Sequence, residues 1–329
     1  MCVLVQYGIY LIRQYHSSYV FDAVNSTASE IKEMRIRGAG RIARAAAASM
    51  KDFALGYPGI SLNGFMKDID AAKDILLNSR PTAVSLRNGI YACIKDLDEA
   101  GSLDDAKNLI SDNADEFIGS SLKAVETISK IGAKRISDGD VLMTHCNSSA
   151  ALGVIKEAHR QGKDIKVFAT ESRPWRQGIL TVNELAKEGL DVTLIVDSAV
   201  RMVMEKVDMV FVGADTVTSN GVLINKIGTS QLALVADEAR SAFNVCTETY
   251  KFSPLTMSGN VVPIEERDHS EVAKSSEIDR KVKIFNPVFD STPPKYIDAM
   301  ITEVGVISPG AVYDIILRQF GSKVMESYK

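Results

Sequence analysis

The 329-residue sequence predicts an α/β protein: an N-terminal helical domain followed by a Rossmann-like, doubly wound parallel sheet domain. Two observations carry that prediction. Before Asp140 the apolar residues recur only at helical spacing; beyond it, short β-branched runs alternate with helical ones. A third supports it, since the two linking helices 149–161 and 177–187 are each closed by a glycine, Gly162 and Gly189. These patterns divide the chain into an extension (1–28), a helical domain (29–125) and a Rossmann-like domain (126–329), and the length is sufficient for two cores.

In the helical part, Thr27 and Glu30 have the form of a capping box, so a helix is predicted to start near Ala28. Gly38 and Gly40 interrupt it, and the alanine-rich stretch 41–55 restarts it. Arg37, Gly38 and Ala39 then lie at a helix N-terminus, where free N–H groups and the helix dipole favour an anion such as phosphate. The letters from Gly38 to Ala43 also fit the dinucleotide fingerprint GxGxxA. That fingerprint needs a strand before it, and 30–36 is charged and helical, so the dinucleotide reading is set aside. Leu62, Phe65, Met66, Ile69, Ala72 and Leu76 mark a core-packing helix that stops before Pro81. The proline keeps Arg80 out of helical conformation and places its guanidinium in a rigid turn, where it can fork onto phosphate. Two more helical stretches, 82–99 and 103–132, complete this part.

Strands are predicted at 141–145, 165–170, 192–196, 209–212 and 243–246, and the linking helices fall between them. The charged segment 258–280 reads as irregular. Three prolines exclude regular structure from 286–294, and a last helix covers 310–320.

Composition narrows the function. A net charge of −4 gives no support for non-specific nucleic-acid binding, which needs a basic surface. The opening run MCVLVQYGIYLI is shorter than the ~20 residues of a membrane span and has no basic region before it, so neither a membrane segment nor a secretory signal is expected. The segment to about Asn25 reads as an extra arm or as a start codon set too early, and the residues leave both open. Cys2, Cys93, Cys146 and Cys246 are far apart, without zinc-ligand spacing, which suits a reduced, cytoplasmic protein.

The stretch DMVFVGADTVTSNGVLINKIGTSQLALVA organises the rest. Its strand ends on Gly213-Ala214-Asp215, and ligands of open α/β sheets bind beyond the carboxyl ends of strands, so Asp215 is a catalytic candidate. Asn225 and Lys226 precede a helix start, where a lysine and backbone N–H groups suit an anionic oxygen. Cys146 sits where the first strand gives way to a helix, a place that stabilises a thiolate, with Asn147, Ser148 and Ser149 as nearby donors. His145 faces the other way in an alternating strand and reads as a packed, hydrogen-bonded histidine. Lys251 is a further cation beyond a strand end, while Glu171, Arg173 and Asp197 lie at strand ends without an assigned role. Neither a metal cluster nor a cofactor motif is present. A thiol and a carboxylate without a metal suit proton transfer beside a carbonyl carbon, and two sets of anion binders suit two phosphates. An isomerase of a phosphosugar follows.

The segments RIRGAGRIARAA, NSRPTAVSL, GAKRISDGDVLMTHCNSSAA, VGADTVTSNGVLINKIGTSQLAL, ETYKFSP and NPVFDSTPP together resemble the archaeal ribose-1,5-bisphosphate isomerases. These share a superfamily with methylthioribose-1-phosphate isomerase and the regulatory subunits of translation initiation factor 2B. RGAG rather than RGAP, and Cys146 together with Asp215, favour the bisphosphate enzymes; Asn147-Ser148-Ser149 is close to the CNTG of the methylthioribose enzymes. The resemblance implies Cys146 and Asp215 as the catalytic pair; because burial disfavours a charged carboxyl, Asp215 reads as the general acid and Cys146 as the thiolate base, with a hydride shift between the carbons as the rival mechanism. Substrate would be held by Arg37, Gly38, Ala39, Arg80, Asn147, Ser148, Ser149, Asn225, Lys226 and Lys251. It further implies activation by AMP and a homo-hexamer built as a trimer of dimers.

Overall fold

The computed structural model describes residues 21–259 and 261–327. Cys2 and most of the predicted extension 1–28 lie outside them. The chain forms two compact units, which meet in sequence at Leu122 and Lys123, inside one long helix.

The first unit is helical throughout its described residues. Residues 21–32 form α1, followed by α2 (Ala39–Gly56), α3 (Leu62–Ser79), α4 (Val84–Cys93) and the first part of α5 (Leu103–Ala133). The predicted capping box is overturned, because Thr27 and Glu30 lie inside α1, and Ser29 instead donates its hydroxyl to Glu33. The helix α2 starts two residues earlier than its alanine content suggests, with Gly38 as N-cap at φ 87°. It buries Ile42, Ala43, Ala46, Ala47, Met50, Phe53 and Ala54 on one face. Small side chains let α4 approach closely: a Cβ on Gly89 would lie 3.2 Å from the Ala43 carbonyl oxygen and 3.1 Å from Phe117. Phe21, Phe53, Tyr57 and Phe65 stack edge-on or tilted along this core, each ring 5.0 to 6.1 Å from the next.

The second unit is built on a seven-stranded sheet. In chain order its parallel strands are β1 (Val141–Thr144), β2 (Lys166–Thr170), β3 (Asp191–Ile195), β4 (Met209–Val212), β7 (Ala242–Cys246) and β10 (Ala299–Thr302); β11 (Gly305–Ile307) is an antiparallel edge. The spatial order is β11-β10-β7-β4-β1-β2-β3, so the sheet is doubly wound and reverses direction between β1 and β4. Helices α6 (Ser149–Arg160) and α7 (Gly178–Lys187) follow β1 and β2, each starting within a residue of its predicted position. Two apolar layers sandwich the sheet. One joins Ile128, Ala133, Leu152, Ile155, Val167 and Phe211. The other joins Met143, Val210, Val245 and Phe243 to α8 (Val200–Met204), α9 (Thr229–Ala239) and α10 (Val312–Ser327).

The sequence did not disclose a second, four-stranded sheet, in the order β8-β5-β6-β9. It consists of β5 (Thr216–Thr218), β6 (Leu223–Lys226), β8 (Phe252–Ser253) and β9 (Phe289–Thr292). The expectation that 286–294 holds no regular structure is corrected by β9, which pairs antiparallel with β6 from Leu223↔Thr292 to Lys226↔Phe289. Its prolines, Pro287, Pro293 and Pro294, flank the strand and leave the ladder donors intact.

Candidate active site

Strands β1, β4 and β7 are neighbours, and each delivers a polar group just beyond its carboxyl end. Cys146 follows β1 and Asp215 follows β4, on either side of the point where the strand order reverses; Glu248 and Lys251 follow β7. The loops after β1 and β4 meet closely because Gly213 has no side chain: a Cβ there would fall 2.3 Å from Ser148 Oγ. Asp215 is half-buried and donates its backbone N–H to the Ile224 carbonyl, which ties it to the second sheet.

Cys146 adopts a left-handed backbone, φ 66°, that is uncommon for a residue with a side chain. Both of its peptide groups are held there. Its N–H donates to Ser172 Oγ at 2.8 Å, and its carbonyl accepts from Thr181 Oγ1 at 2.6 Å. Asn147 Nδ2 donates to the same Thr181 oxygen. Ser172 is itself left-handed, φ 59°, and its N–H and that of Arg173 donate to the two oxygens of Asp197. A carboxylate that closes such a turn explains why Asp197 stands at a strand end. The thiol donates to Gln177 Oε1 at 3.2 Å.

The titration of Cys146 differs from the sequence-based expectation. Burial pushes the thiol up to about 11, Lys226 pulls against that shift, and the carboxylates of Asp215 and Asp197 reinforce it. The Asn147 backbone N–H beside the thiol also pulls the value down, but by less than burial raises it; the first turn of α6 is capped by Ser148, whose Oγ accepts from the Ala151 N–H. In the free chain these surroundings thus favour the thiol over the thiolate. Ser149 opens the helix and is exposed.

His145 is buried; its Nδ1 lies 2.5 Å from Thr170 Oγ1 and 3.3 Å from Ser172 Oγ, and its Nε2 lies 2.8 Å from the Ile227 carbonyl oxygen. The carbonyl can only accept, so Nε2 bears the proton and Nδ1 accepts from Thr170. Burial holds its pKa below the usual histidine value. It is the packed histidine that strand alternation predicts.

Lys251 is 6% exposed and pairs with Glu248, 3% exposed, at 2.7 Å. Burial alone lowers the lysine's pKa, but the Glu248 carboxylate, aided by Asp215, more than reverses this and holds the ammonium charged. Glu248 was missed as a site residue. Its position three residues before Lys251 was the available signal.

On the second sheet, Asn225 is buried and donates from Nδ2 to Thr229 Oγ1 at 3.0 Å, while Lys226 Nζ lies 5.2 Å from the centre of the Phe289 ring. The helix start beyond them corrects another expectation. The N–H groups of Gly228 and Ser230 do not await an anion; they donate to Asp290 Oδ2 at 2.7 and 3.0 Å. Gly228 needs its missing side chain twice over, for φ 101° and because a Cβ would sit 3.0 Å from His145. In the first unit Arg37 and Gly38 are exposed, Ala39 opens α2, and Arg80 caps the end of α3 at φ −155°, ψ 80°.

Among the described residues no cluster of three or more His, Cys, Asp or Glu side chains is placed to hold a metal ion, and no helix is long and apolar enough to cross a membrane.

Comparison with known proteins adds a family to this geometry. Residues 35–309 match the model of the Initiation factor 2 subunit family. The chain is 52% identical over 300 residues to the ribose 1,5-bisphosphate isomerase of Methanocaldococcus jannaschii, covering 91% of this chain and 96% of that one. It is 38% identical over 327 residues to the methylthioribose-1-phosphate isomerase of Thermosipho africanus, covering 94% and 92%. A crystal structure of the Pyrococcus horikoshii translation initiation factor eIF-2B superposes with a TM-score of 0.73 at 32% identity, over 87% of this chain and 97% of that one.

Proposed function

The chain belongs to the Initiation factor 2 subunit family, and we propose that within it this protein converts ribose 1,5-bisphosphate to ribulose 1,5-bisphosphate. Its similar relatives include isomerases of two kinds, and the chain is an isomerase. The greater identity to the bisphosphate enzyme favours that substrate. The observation that carries the chemistry is the placing of Cys146 and Asp215 beyond adjacent strands at the point of reversal, with Lys251 paired to Glu248 beyond the next strand.

In the proposed reaction Asp215, protonated, gives its proton to the ring oxygen as the bond from that oxygen to C1 breaks. Cys146, as thiolate, takes the proton from C2, and the C–H electron pair forms the C1–C2 double bond of an enol that still bears the C1 phosphate. Loss of the C2 hydroxyl proton and delivery of a proton to C1 then give the ketone. The Asp215 charge raises the Cys146 pKa. An Asp215 that has given up its charge therefore makes the thiolate easier to form. Lys226 lowers the thiol pKa and supplies the counter-charge.

Phosphate and hydroxyl contacts are assigned to Asn147, Ser148, Ser149, Asn225, Lys226 and Lys251, and phosphate binding also to Arg37, Gly38, Ala39 and Arg80. Activation by AMP and assembly as a hexamer accompany this assignment; turnover with and without AMP, and light scattering, test them. The defining experiment incubates the protein with ribose 1,5-bisphosphate or methylthioribose 1-phosphate and follows product by phosphorus NMR. Ribulose 1,5-bisphosphate supports the proposal. Turnover of the methylthio substrate alone assigns the sister activity, and binding without turnover assigns a regulatory role.

A further inference from the structure

The motif NPVFDSTPP has no part in the reaction above, yet it reaches the site's lysine. Asp290, in the middle of β9, lies opposite Asn225 in the ladder and caps α9 from about sixty residues away in sequence. Gly228, the N-cap of that helix, has no side chain to accept from its first turn, and the Asp290 carboxylate takes that place. Its neighbour Phe289 lies under Lys226 Nζ, and Val288 O accepts the Ile227 N–H. The turn from Lys226 to Thr229 is thus fixed on one side by β9 and on the other by His145.

We propose that Asp290 is a positioning residue, which clamps the turn after β6 so that Lys226 is held where its charge acts on Cys146. The clamp is costly in isolation. Asp290 Oδ1 is buried without a hydrogen-bond partner among the described residues, and burial pushes the carboxyl up to about 6 although two N–H groups stabilise its ionised form. The first turn of α9 brings no acidic group against it, and Lys226 is the cation on the paired strand. As a positioning role this rests on the isomerase proposal, but its direct consequence, the state of the Cys146 thiol, is independent of any substrate.

The test measures the rate of Cys146 alkylation by iodoacetamide from pH 7 to 10, with the modified peptide identified by mass spectrometry. Variants are Asp290→Ala, Asp290→Asn and Asp290→Glu, each alone and in a Lys226→Met background. Asn keeps an acceptor for Gly228 and Ser230, whereas Ala removes it and Glu displaces it. Expected for Ala, or for Glu should Ala not fold, is a rise of about one unit in the apparent thiol pKa, with alkylation at pH 8 about five- to tenfold slower. Asn should stay within about twofold of wild type, and in the Lys226→Met background none of the three changes should have a further effect. An unchanged profile in folded Ala or Glu, equal losses in Asn and Ala, or full losses that persist without Lys226 would each overturn the clamp. Wild-type turnover of ribose 1,5-bisphosphate, assayed beside it, separates failure of the clamp from failure of the isomerase assignment.

Discussion

In the seven-stranded sheet each candidate chemical group stands within five residues of the strand that presents it: Cys146 after β1, Asp215 after β4, Glu248 and Lys251 after β7. In the four-stranded sheet the corresponding groups depend on partners far away in sequence, since Lys226 lies against Phe289 and the turn after it is held by Asp290 and His145. The first arrangement follows from topology, because parallel strands all end at one edge. The second follows from pairing, and only the fold brings its parts together. The difference suggests a division in which one sheet presents the proton-transfer groups and the other positions charge beside them.

Losing a group on the first sheet should have the largest effect. Cys146→Ser or Asp215→Asn is expected to lower kcat by ~10²-fold or more while leaving the melting temperature close to wild type, as checked by steady-state kinetics and calorimetry. Near wild-type turnover in either variant would break the comparison at its stronger end. Next in size is Lys226→Met, which should raise KM and lower kcat together by about tenfold, because it removes both the proposed phosphate contact and the charge that opposes burial of the thiol. A change confined to KM would restrict the second sheet to binding.

How much of this was visible in the sequence follows the same division. Five of the six parallel strands were legible because short β-branched runs end in glycine or polar residues, whereas β10 (Ala299–Thr302) was not; the packed His145 was legible from strand alternation. The β9 strand was hidden by its prolines, which look like a barrier to pairing until they are seen to flank Phe289–Thr292. Asp290 as a cap was equally hidden, since an N-cap is ordinarily sought next to its own helix. The Thr27–Glu30 spacing misled for the opposite reason: a local motif was overridden by a helix that continues through it. The thiol's pKa was not legible at all, because burial is a property of the packed chain.

Smaller effects sharpen the comparison through pH. His145 is depressed below its unfolded value near 6.5, so below that pH the unfolded chain binds the extra proton; its contribution to stability is complete above about pH 6.5 and is lost on acidification. Asp290 has the opposite sign. Its folded value of about 6 lies above its usual 3.8, so the native chain binds the extra proton, and stability falls as pH rises through that interval. The melting temperature of Asp290→Asn relative to wild type should therefore increase from pH 4 to pH 6.5, as followed by differential scanning fluorimetry. A constant difference across that range would remove the buried charge from the account of the second sheet.

The most direct test of the proton-transfer pair uses ribose 1,5-bisphosphate carrying deuterium at C2, turned over in ordinary water and analysed by mass spectrometry and proton NMR. A thiolate base predicts ribulose 1,5-bisphosphate that has lost deuterium to solvent, formed ~10²-fold or more slowly by Cys146→Ser. Product that retains all of its deuterium at C1, formed at a near wild-type rate by Cys146→Ser as well, would contradict the account, because the hydrogen would then have crossed between the carbons without passing through Cys146.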